Sequence, residues 1–277
     1  MPQVTSVDGH RIFIADGTTI GDYTVQSENF NDEVTSATDL ETMGWTEADI
    51  GTATARGTLN TAGDHYFTIN AGTKADSGVN MQYASVTTAA STSRPHKIIT
   101  PITATASNMD GRSLFMFARI GFAHTTAVWD NKLIFGWTLS DTSMMTAATG
   151  AQSIGTGGGL YFHFQESAIG PVLFSAQRKA AAASTTEVWT QGAATSATVI
   201  GDWIDIGFVA TWVDASDDAD NGTVYAYKDG ALVATDSNNL PMTTAAIYAV
   251  GIELLNGPAT SQNVDMGIDW MVTGVTR

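Results

Sequence analysis

The sequence predicts an all-β protein that folds as a two-sheet antiparallel sandwich. Three observations support this fold class. About a dozen short segments alternate apolar and polar residues with a period of two, which is typical of half-buried strands. The loops between them are rich in Gly, Asn, Asp, Thr and Ser, and no stretch shows the 3.6-residue period of a long helix. A dipeptide Asp229-Gly230 between two β-prone runs is a strong hairpin signal.

The region Gly201–Asp236 contains the clearest strand pattern. Alternate apolar residues in its first half predict a long strand with one buried face: Ile204, Ile206, Phe208, Ala210 and Trp212. A two-residue turn at Asp229-Gly230 pairs Lys228 with Ala231. This register places four residues on one face of the hairpin: Tyr225, Tyr227, Leu232 and Ala234.

The first part of the chain differs from the rest. Short β-prone pieces at residues 4–7, 11–14 and 23–25 are separated by Asp8-Gly9 and Asp16-Gly17. We therefore divide the chain into residues 1–29, an N-terminal arm or edge-strand lead-in, and residues 30–277, a sandwich domain. The two alternatives for residues 1–29 are an edge strand or irregular lead-in, and an arm that docks on a neighbouring subunit or host particle.

Further strands follow in the sandwich domain. Residues 112–122 are apolar on both faces, which predicts a central strand that is covered on both sides. We predict other strands at residues 65–69, 78–83, 97–100, 133–139, 160–165, 172–177, 187–190 and 247–254. In the last strand, at residues 264–272, one face carries Val264, Met266, Ile268, Trp270 and Val272.

The run VYAYKDGALVATD, followed by two closing strands, resembles the late part of concanavalin A-like (LamG/pentraxin-type) jelly rolls. The resemblance covers roughly the last two-thirds of the chain, as a pattern of strands and one turn. It implies a concanavalin A-like jelly roll with a short N-terminal arm. It leaves the function open, because that fold serves lectins, glycosidases and structural proteins alike.

Composition excludes several classes of function. The 277 residues include 28 Asp and Glu but only 12 Lys and Arg, a formal net charge of −16. Such a surface disfavours nucleic acid and anionic membranes as partners. Without cysteine the chain forms neither disulfides nor thiolate metal sites. It shows no signal peptide and no apolar stretch of transmembrane length.

The sequence matches none of the catalytic motifs considered below. Glycosidases of the laminarinase type carry a Glu-x-Asp-x-x-Glu strand, which this chain lacks. Asp265 and Asp269 lie on one strand about 13 Å apart, too far for a retaining pair. Ser153 lacks the first glycine of a nucleophile elbow, and the five histidines show no metal-ligand spacing. We therefore predict no enzymatic activity and no catalytic residue.

Two binding sites are predicted in loops. Asp214, Asp217, Asp218 and Asp220 bring hard oxygen ligands together and predict Ca²⁺ binding; the alternative is a solvated acidic loop. Trp129, Asp130 and Asn131 combine an aromatic ring with polar groups, an arrangement suited to a bound sugar. No other cofactor is expected.

An acidic, cysteine-free jelly roll with an N-terminal arm is similar to bacteriophage virion proteins, an analogy of fold and composition. It implies a capsid decoration protein or a head or tail fibre protein that is made in the host cytoplasm. Its partners would be the major capsid protein or other virion subunits, bound through residues 1–29, and further copies in a homo-oligomer, with a trimer as the guess. The alternative is a carbohydrate-binding module or adhesin that uses the sandwich loops.

Overall fold

The structure, a computed structural model, describes fifteen parts of the chain. These are residues 1–29, 45–50, 58–60, 66–70, 78–83, 103–104, 109–124, 132–139, 158–164, 171–178, 184–190, 201–214, 221–241, 246–255 and 264–276. All structural statements below concern these residues. None of the described residues forms a helix that is long and apolar enough to cross a membrane.

The described residues form eighteen strands and one 3₁₀ turn. The strands are β1 (Gln3–Val7), β2 (His10–Ile14), β3 (Tyr23–Asn29), β4 (Trp45–Ile50), β5 (Thr58–Asn60), β6 (Tyr66–Asn70), β7 (Gly78–Tyr83), β8 (Thr103–Ala104), β9 (Ser113–His124), β10 (Lys132–Leu139), β11 (Gly158–Phe164), β12 (Pro171–Arg178), β13 (Ser184–Thr190), β14 (Gly201–Trp212), β15 (Gly222–Lys228), β16 (Ala231–Ser237), β17 (Ala246–Leu255) and β18 (Val264–Thr276). The 3₁₀ turn spans Ile20–Asp22.

Two antiparallel sheets make up the sandwich, which confirms the predicted fold class. The first sheet has the order β13-β12-β11-β10-β17-β7-β4, and β8 also pairs with β17. The second has the order β16-β15-β14-β9-β18-β6-β5, and β3 also pairs with β18. The alternating residues of β14 point between the sheets, where Ile206, Phe208 and Trp212 join Phe135, Phe162 and others in the main core.

Strand β9 lies at the centre of the second sheet, between β14 and β18, and both of its faces are buried, as predicted, apart from the exposed Arg119. Leu114, Met116 and Phe122 belong to the main core. Phe115 and Phe117 point outward into a second cluster on the other side of the same sheet. The prediction that only one face of β14 is buried is incomplete, because Val209 also belongs to this second cluster.

The second cluster is covered by the N-terminal hairpin, which we define as β1, β2 and the turn between them. Asp8 and Gly9 in that turn have φ values of 48° and 86°, as a two-residue hairpin turn requires. β2 contributes Ile12, Phe13 and Ile14 to the cluster. The structure thus divides residues 1–29 between this hairpin and β3, which extends the second sheet along β18.

At two β-bulges the side chains that follow the bulge face the opposite side of the sheet from the one predicted. Lys228 pairs with Ala231 as predicted, but the register shifts between Ala226 and Tyr227, so that Ala226 faces Ala234. Ala234 therefore lies in the main core, whereas Tyr227 lies in the outer cluster. The prediction of one common face for them was wrong, because a bulge inserts one residue and reverses the alternation.

Strand β18 contains the second of these bulges. Its register with β9 shifts between Ile268 and Trp270. Met266 and Ile268 point into the main core, while Trp270 and Val272 point into the outer cluster. A single shared face for these residues was therefore also a wrong prediction, for the same geometric reason.

The edge strands β13 and β16 lie next to each other at one side of the sandwich. The Ser184 hydroxyl of β13 donates a hydrogen bond to the Asp236 carboxylate of β16. The register of each strand with its inner neighbour is shifted, which leaves Val188 and Val233 without a partner in the ladder. Both valines pack against the main core, so the two bulges help to close this side.

Strands β4, β5 and β8 were not predicted. The acidic residues of β4 obscure its alternation, and β5 and β8 are only three and two residues long. The predicted strand at residues 97–100 lies outside the described residues. The other predicted strands are present, and their ends differ from the predicted ones by at most four residues.

Candidate functional site

The residues predicted for ligand binding fall mostly outside the described part of the chain. This applies to Trp129, Asp130 and Asn131, and to three of the four predicted calcium ligands, Asp217, Asp218 and Asp220. Asp214 is described and lies half-buried just after β14. Within the described ranges, no three His, Cys, Asp or Glu side chains are grouped so that they could hold a metal ion.

A cluster of charged residues lies on the outer face of the second sheet, beside the tip of the N-terminal hairpin. Strand pairing places Arg119 of β9 opposite Asp205 of β14. The Nε atom of Arg119 lies 3.9 Å from Asp205 Oδ1 and 3.9 Å from Asp269 Oδ2 of β18. We call these three residues, with Asp229 and the hairpin residue His10, the hairpin-tip cluster.

Burial and neighbouring charges act in opposite directions on Asp205. Burial raises the pKa of its carboxyl group, and Asp229 and Asp269 raise it further, while Arg119 and His10 lower it. The backbone also fixes its position. The Asp229 side chain accepts a hydrogen bond of 3.0 Å from the Asp205 N–H, and the Asp229 N–H donates one of 2.7 Å to the Asp205 carbonyl. The turn between β15 and β16 is therefore tied to β14.

Aromatic stacking attaches the hairpin to this region. The imidazole of His10 stacks on the indole of Trp270 with ring centroids 4.3 Å apart and an interplanar angle of 17°. Phe13 stacks on Tyr227 with centroids 4.0 Å apart. Burial, with a smaller effect of Tyr225, raises the pKa of Tyr227 to about 12, so its ring stays neutral in this apolar setting.

Asp205, Arg119 and Asp269 form a network of two ion pairs. Glycosidases also use two carboxyl groups, one as an acid and the other as a base or nucleophile. Here the same guanidinium lies next to both carboxylates. Burial nevertheless keeps the pKa of Asp205 raised, because the guanidinium offsets only part of that effect.

The outer face of the first sheet has a different character, because it buries polar side chains. His163 of β11 and Ser175 of β12 are 1% and 0% exposed. The His163 Nε2 atom lies 2.7 Å from the Ser175 hydroxyl, which is 2.8 Å from the Thr185 hydroxyl of β13. The chain of hydrogen bonds runs across three strands to the sheet edge.

The contact between His163 and Ser175 has the geometry of a base and a nucleophile, but its setting does not suit catalysis. Burial lowers the pKa of His163 to about 3, and so weak a base removes a serine proton poorly. Both side chains are also closed off from solvent. The pair is better explained as a satisfied buried polar network.

Next to this network, Tyr161 lies across Gly136 of the neighbouring strand. A Cβ at Gly136 would come within 2.5 Å of the Tyr161 Cα and 2.6 Å of its Cβ, so the close approach requires glycine. The Tyr161 hydroxyl donates a hydrogen bond of 3.0 Å to Gln177. Burial raises the pKa of Tyr161 well above its usual range.

Sequence reasoning missed both groups of residues. Asp205, Arg119 and Asp269 are each separated by more than sixty residues, and only the strand register brings them together. The sequence did give one signal for His163, which lies at a polar position between Phe162 and Phe164 in a strongly apolar strand.

Comparison with known proteins identifies the fold and no closer relationship. No protein-family model and no curated protein sequence matches the chain. Among solved structures, the carbohydrate recognition domain of Emp47p superposes with a TM-score of 0.51 at 8% identity, covering 93% of this chain and 98% of that domain. The fold is therefore a concanavalin A-like jelly roll, as the sequence resemblance implies.

Two other solved structures are similar at slightly lower TM-scores. A carbohydrate esterase from the Shiga toxin-encoding bacteriophage phi24B has a TM-score of 0.49 at 14% identity, covering 92% of this chain and 100% of that one. A β-glucanase from Bacillus licheniformis has a TM-score of 0.49 at 12% identity, covering 91% and 98%.

Proposed function

We propose that the protein is a non-enzymatic structural protein of a virus particle, a capsid decoration protein or a head or tail fibre protein. It binds a neighbouring virion subunit through the N-terminal hairpin. The observation that carries the proposal is the open edge of β1. In the part of the chain that the structure describes, β1 pairs with β2 alone.

Strand β1 exposes a regular set of hydrogen-bonding groups. Val7 and His10 flank a two-residue turn and pair with each other, so they exchange both of their backbone hydrogen bonds. The alternation of an antiparallel ladder then directs the N–H and C=O groups of Val4 and Ser6 away from β2. An edge of this kind is a template for an added strand.

The two sides of the hairpin have different surroundings. Ile12, Phe13 and Ile14 of β2 are buried against the second sheet, while Val4 of β1 is 55% exposed. The packing of β2 holds β1 in a fixed position, and a pre-ordered strand loses little conformational entropy when a partner binds. These features support attachment of a partner strand at β1.

Charge supports a role on a particle surface. A net charge of −16 keeps particles that display many copies dispersed through mutual repulsion. The non-enzymatic character of the proposal is supported by the buried position of His163 and Ser175, whose contact is closed off from solvent.

Substitution of Ser6 by proline tests the proposal. Ser6→Pro removes an N–H that points away from β2, so the hairpin keeps its own hydrogen bonds while the outer edge loses one donor. We expect binding to purified particles, measured by co-sedimentation, to fall at least about tenfold, and Ser6→Thr to bind like the wild type.

Circular dichroism and thermal unfolding show whether Ser6→Pro keeps its fold. Equal binding of a folded Ser6→Pro variant and the wild type would contradict attachment through the β1 edge. Quantitative mass spectrometry of purified particles gives the copy number: hundreds of copies indicate decoration, a few indicate a fibre, and absence contradicts the virion role.

Glycan binding is the second candidate, favoured by the likeness in fold to the Emp47p carbohydrate recognition domain. The predicted residues are Trp129, Asp130 and Asn131, with Ca²⁺ at the loop of Asp214, Asp217, Asp218 and Asp220. A glycan array followed by titration of the hits tests this role. Loss of glycan binding in Trp129→Ala, with unchanged binding in Ser6→Pro, would favour this candidate over the first.

A further inference from the structure

One dipeptide of the described chain combines a chemically reactive sequence with a buried position. Asn221 immediately precedes Gly222, the first residue of β15, and it is 0% exposed. An asparagine side chain cyclises most readily when glycine follows it, because glycine has no Cβ to hinder attack by its backbone nitrogen. The contacts of this pair determine whether that reaction can take place.

The fold requires glycine at position 222. Its φ is 134°, a conformation that other residues rarely adopt. A Cβ there would lie 2.1 Å from the Thr211 carbonyl oxygen and 2.6 Å from Leu240 Cδ1. No larger residue fits at this position unless the backbone of β14 moves, so the packing keeps a glycine directly after Asn221.

The fold also uses both polar atoms of the Asn221 side chain. Its Nδ2 donates a hydrogen bond of 2.8 Å to the Leu240 carbonyl, and its Oδ1 accepts one of 3.3 Å from the Leu240 N–H. The Asn221 carbonyl accepts a further hydrogen bond of 3.2 Å from the N–H of Val213, the residue after β14. Asn221 thus joins the end of β14 and the start of β15 to the segment that follows β16.

The segment that Asn221 holds is itself buried. Leu240 is 0% exposed and belongs to the main core. The Trp212 indole Nε1 donates a hydrogen bond of 3.1 Å to the carbonyl of Pro241, the next residue. The hydrogen bonds between Asn221 and Leu240 are therefore closed off from water in the folded protein.

We propose that Asn221 is a deamidation site that is protected in the folded protein and reacts when its contact with Leu240 opens. In the open form the Gly222 backbone nitrogen attacks Asn221 Cγ and loses its proton, the Cγ–Nδ2 bond breaks, and ammonia leaves with that proton. The product is a five-membered succinimide. Water then adds to one of its two carbonyl carbons and breaks the bond to nitrogen, which yields aspartate or isoaspartate.

The folded state opposes this reaction for two reasons. Loss of Nδ2 removes the donor to the Leu240 carbonyl, which leaves that acceptor unsatisfied at a site without water. The water that opens the succinimide also has no access to a side chain that is 0% exposed. Deamidation therefore requires that the contact first open locally, as buried contacts at the ends of strands do.

The product prevents the contact from forming again. A carboxylate at residue 221 presents only acceptors to the Leu240 carbonyl, and burial of a charge without a partner is strongly unfavourable. Isoaspartate also lengthens the main chain by a carbon atom, which disturbs the pairing of β15 with β14. An opening that ends in deamidation is therefore irreversible. The inference is independent of the proposed function, because it concerns contacts within a single chain.

Peptide mass spectrometry of the full-length protein, incubated at neutral pH with and without urea, tests the protection. Asn256-Gly257 is the same dipeptide elsewhere in the chain, and its deamidation in urea shows that the conditions support the reaction. We expect Asn221 to react at least about tenfold more slowly without urea than in urea, because it must first open. Equal rates of Asn221 deamidation in the two solutions would overturn the proposal.

Asn239→Ala and Gly136→Ala separate opening of this contact from unfolding of the whole sandwich. Asn239 Nδ2 donates a hydrogen bond of 2.8 Å to Asp236 Oδ1 in the turn that leads to Leu240, whereas Gly136 lies in the other sheet. Without urea, Asn239→Ala should raise the deamidation rate of Asn221 about three- to tenfold, and Gly136→Ala should leave it unchanged. An unchanged rate in Asn239→Ala, or an equal rise in both variants, would contradict reaction through local opening.

Refolding after partial deamidation in urea tests the irreversible step. Size-exclusion chromatography isolates the refolded protein, in which the modified form of residue 221 should be depleted at least about tenfold relative to the starting mixture. Asn221→Asp, made directly, should reach half-unfolding at a lower urea concentration than the wild type. Refolded protein with undepleted modified residue 221, or an unchanged midpoint in Asn221→Asp, would show that the fold accepts the product and that the inferred irreversibility is wrong.

Discussion

The two outer faces of the sandwich are protected from water in opposite ways. On the second sheet, aromatic side chains such as Phe115, Phe117 and Trp270 are covered by apolar residues of the chain's own N-terminal hairpin. On the first sheet, His163, Ser175 and Tyr161 are buried, and their polar atoms take part in hydrogen bonds. An apolar face needs only a cover of the right shape, whereas a buried polar face needs its hydrogen bonds satisfied.

Among the substitutions that test this difference between the two outer faces, Phe13→Ala should have the largest effect. The substitution removes the ring that stacks on Tyr227 and contacts Phe117, and loss of a buried phenylalanine costs about 3–5 kcal/mol. Because the hairpin is attached by side chains, the loss should detach it and expose the aromatic face. Binding of an apolar fluorescent dye should increase, while the far-ultraviolet circular dichroism of the sandwich should persist.

Val4→Ala on the exposed side of the same hairpin is the matched control and should leave dye binding unchanged. If Phe13→Ala also left dye binding unchanged, the covering role of the hairpin would be wrong.

The second test concerns a feature that both outer faces share, a glycine paired with an aromatic residue on the next strand. Phe117 lies over Gly207, where a Cβ would be 2.1 Å from the ring and 2.4 Å from the Met116 carbonyl oxygen. Gly207→Ala and Gly136→Ala should each destabilise the protein by about 1–3 kcal/mol through overpacking. Denaturant titration measures both values.

Gly9→Ala is a useful comparison, since no atom lies within 4 Å of a Cβ there and only the positive φ of 86° opposes the change. A cost at Gly207 or Gly136 below that at Gly9 would contradict close packing as the reason for these glycines.

The polar face should respond to acid through His163. Its pKa in the folded protein is lowered to about 3 by burial, below the value of about 6.5 expected in the unfolded chain. As the pH falls, His163 therefore takes up a proton in the unfolded chain before it does so in the folded protein. The contribution of neutral His163 to the free energy of unfolding is fully present above about pH 6.5 and is lost as the pH drops from there toward 3. Between pH 6.5 and pH 5 the free energy of unfolding should fall by about 2 kcal/mol.

His163→Gln keeps a hydrogen-bonding side chain that does not titrate, so its stability should change less over this range. Chemical denaturation at several pH values measures the difference. A wild-type profile parallel to that of His163→Gln would show that His163 is accessible to protons in the folded protein.

The smallest effect is expected at Arg119. Its side chain is 45% exposed, and both of its ion pairs are 3.9 Å long, so solvent screens them. Arg119→Gln should change stability by less than about 1 kcal/mol, and the change should shrink in high salt. A loss of several kcal/mol in thermal unfolding would mean that the hairpin-tip cluster is more strongly coupled to the fold than these distances imply.

The sequence was sufficient to predict the fold class and the main strands, for physical reasons. β14 carries a regular alternation of apolar residues, and β9 is apolar on both faces, as expected for a strand covered on both sides. The turn at Asp229-Gly230 was predictable because both residues need positive φ, and the structure has 49° and 78° there. These features depend on residues that are close together in the sequence.

Features that depend on distant strands could not be predicted. The bulges in β16 and β18 cannot be recognised from the alternation of residues until the partner strand is known. For this reason the sequence pattern predicted the wrong face for Ala234 and Trp270. The hairpin-tip cluster likewise depends on the register of three strands. The position of the hairpin over the aromatic face depends on the packing of β2 against Phe117 and Tyr227.

The bulges in β13 and β16 affect how molecules can be joined. Val188 and Val233 turn into the core where a straight edge would continue its ladder, and Asp236 places a carboxylate in the seam between the two strands. A further strand that approached this side would meet irregularly spaced backbone hydrogen-bonding groups and a charged side chain. A molecule with one side closed in this way can be added to an assembly, but it does not extend a continuous sheet through that side. Growth of a continuous sheet through this side is thus disfavoured even when many copies are crowded together.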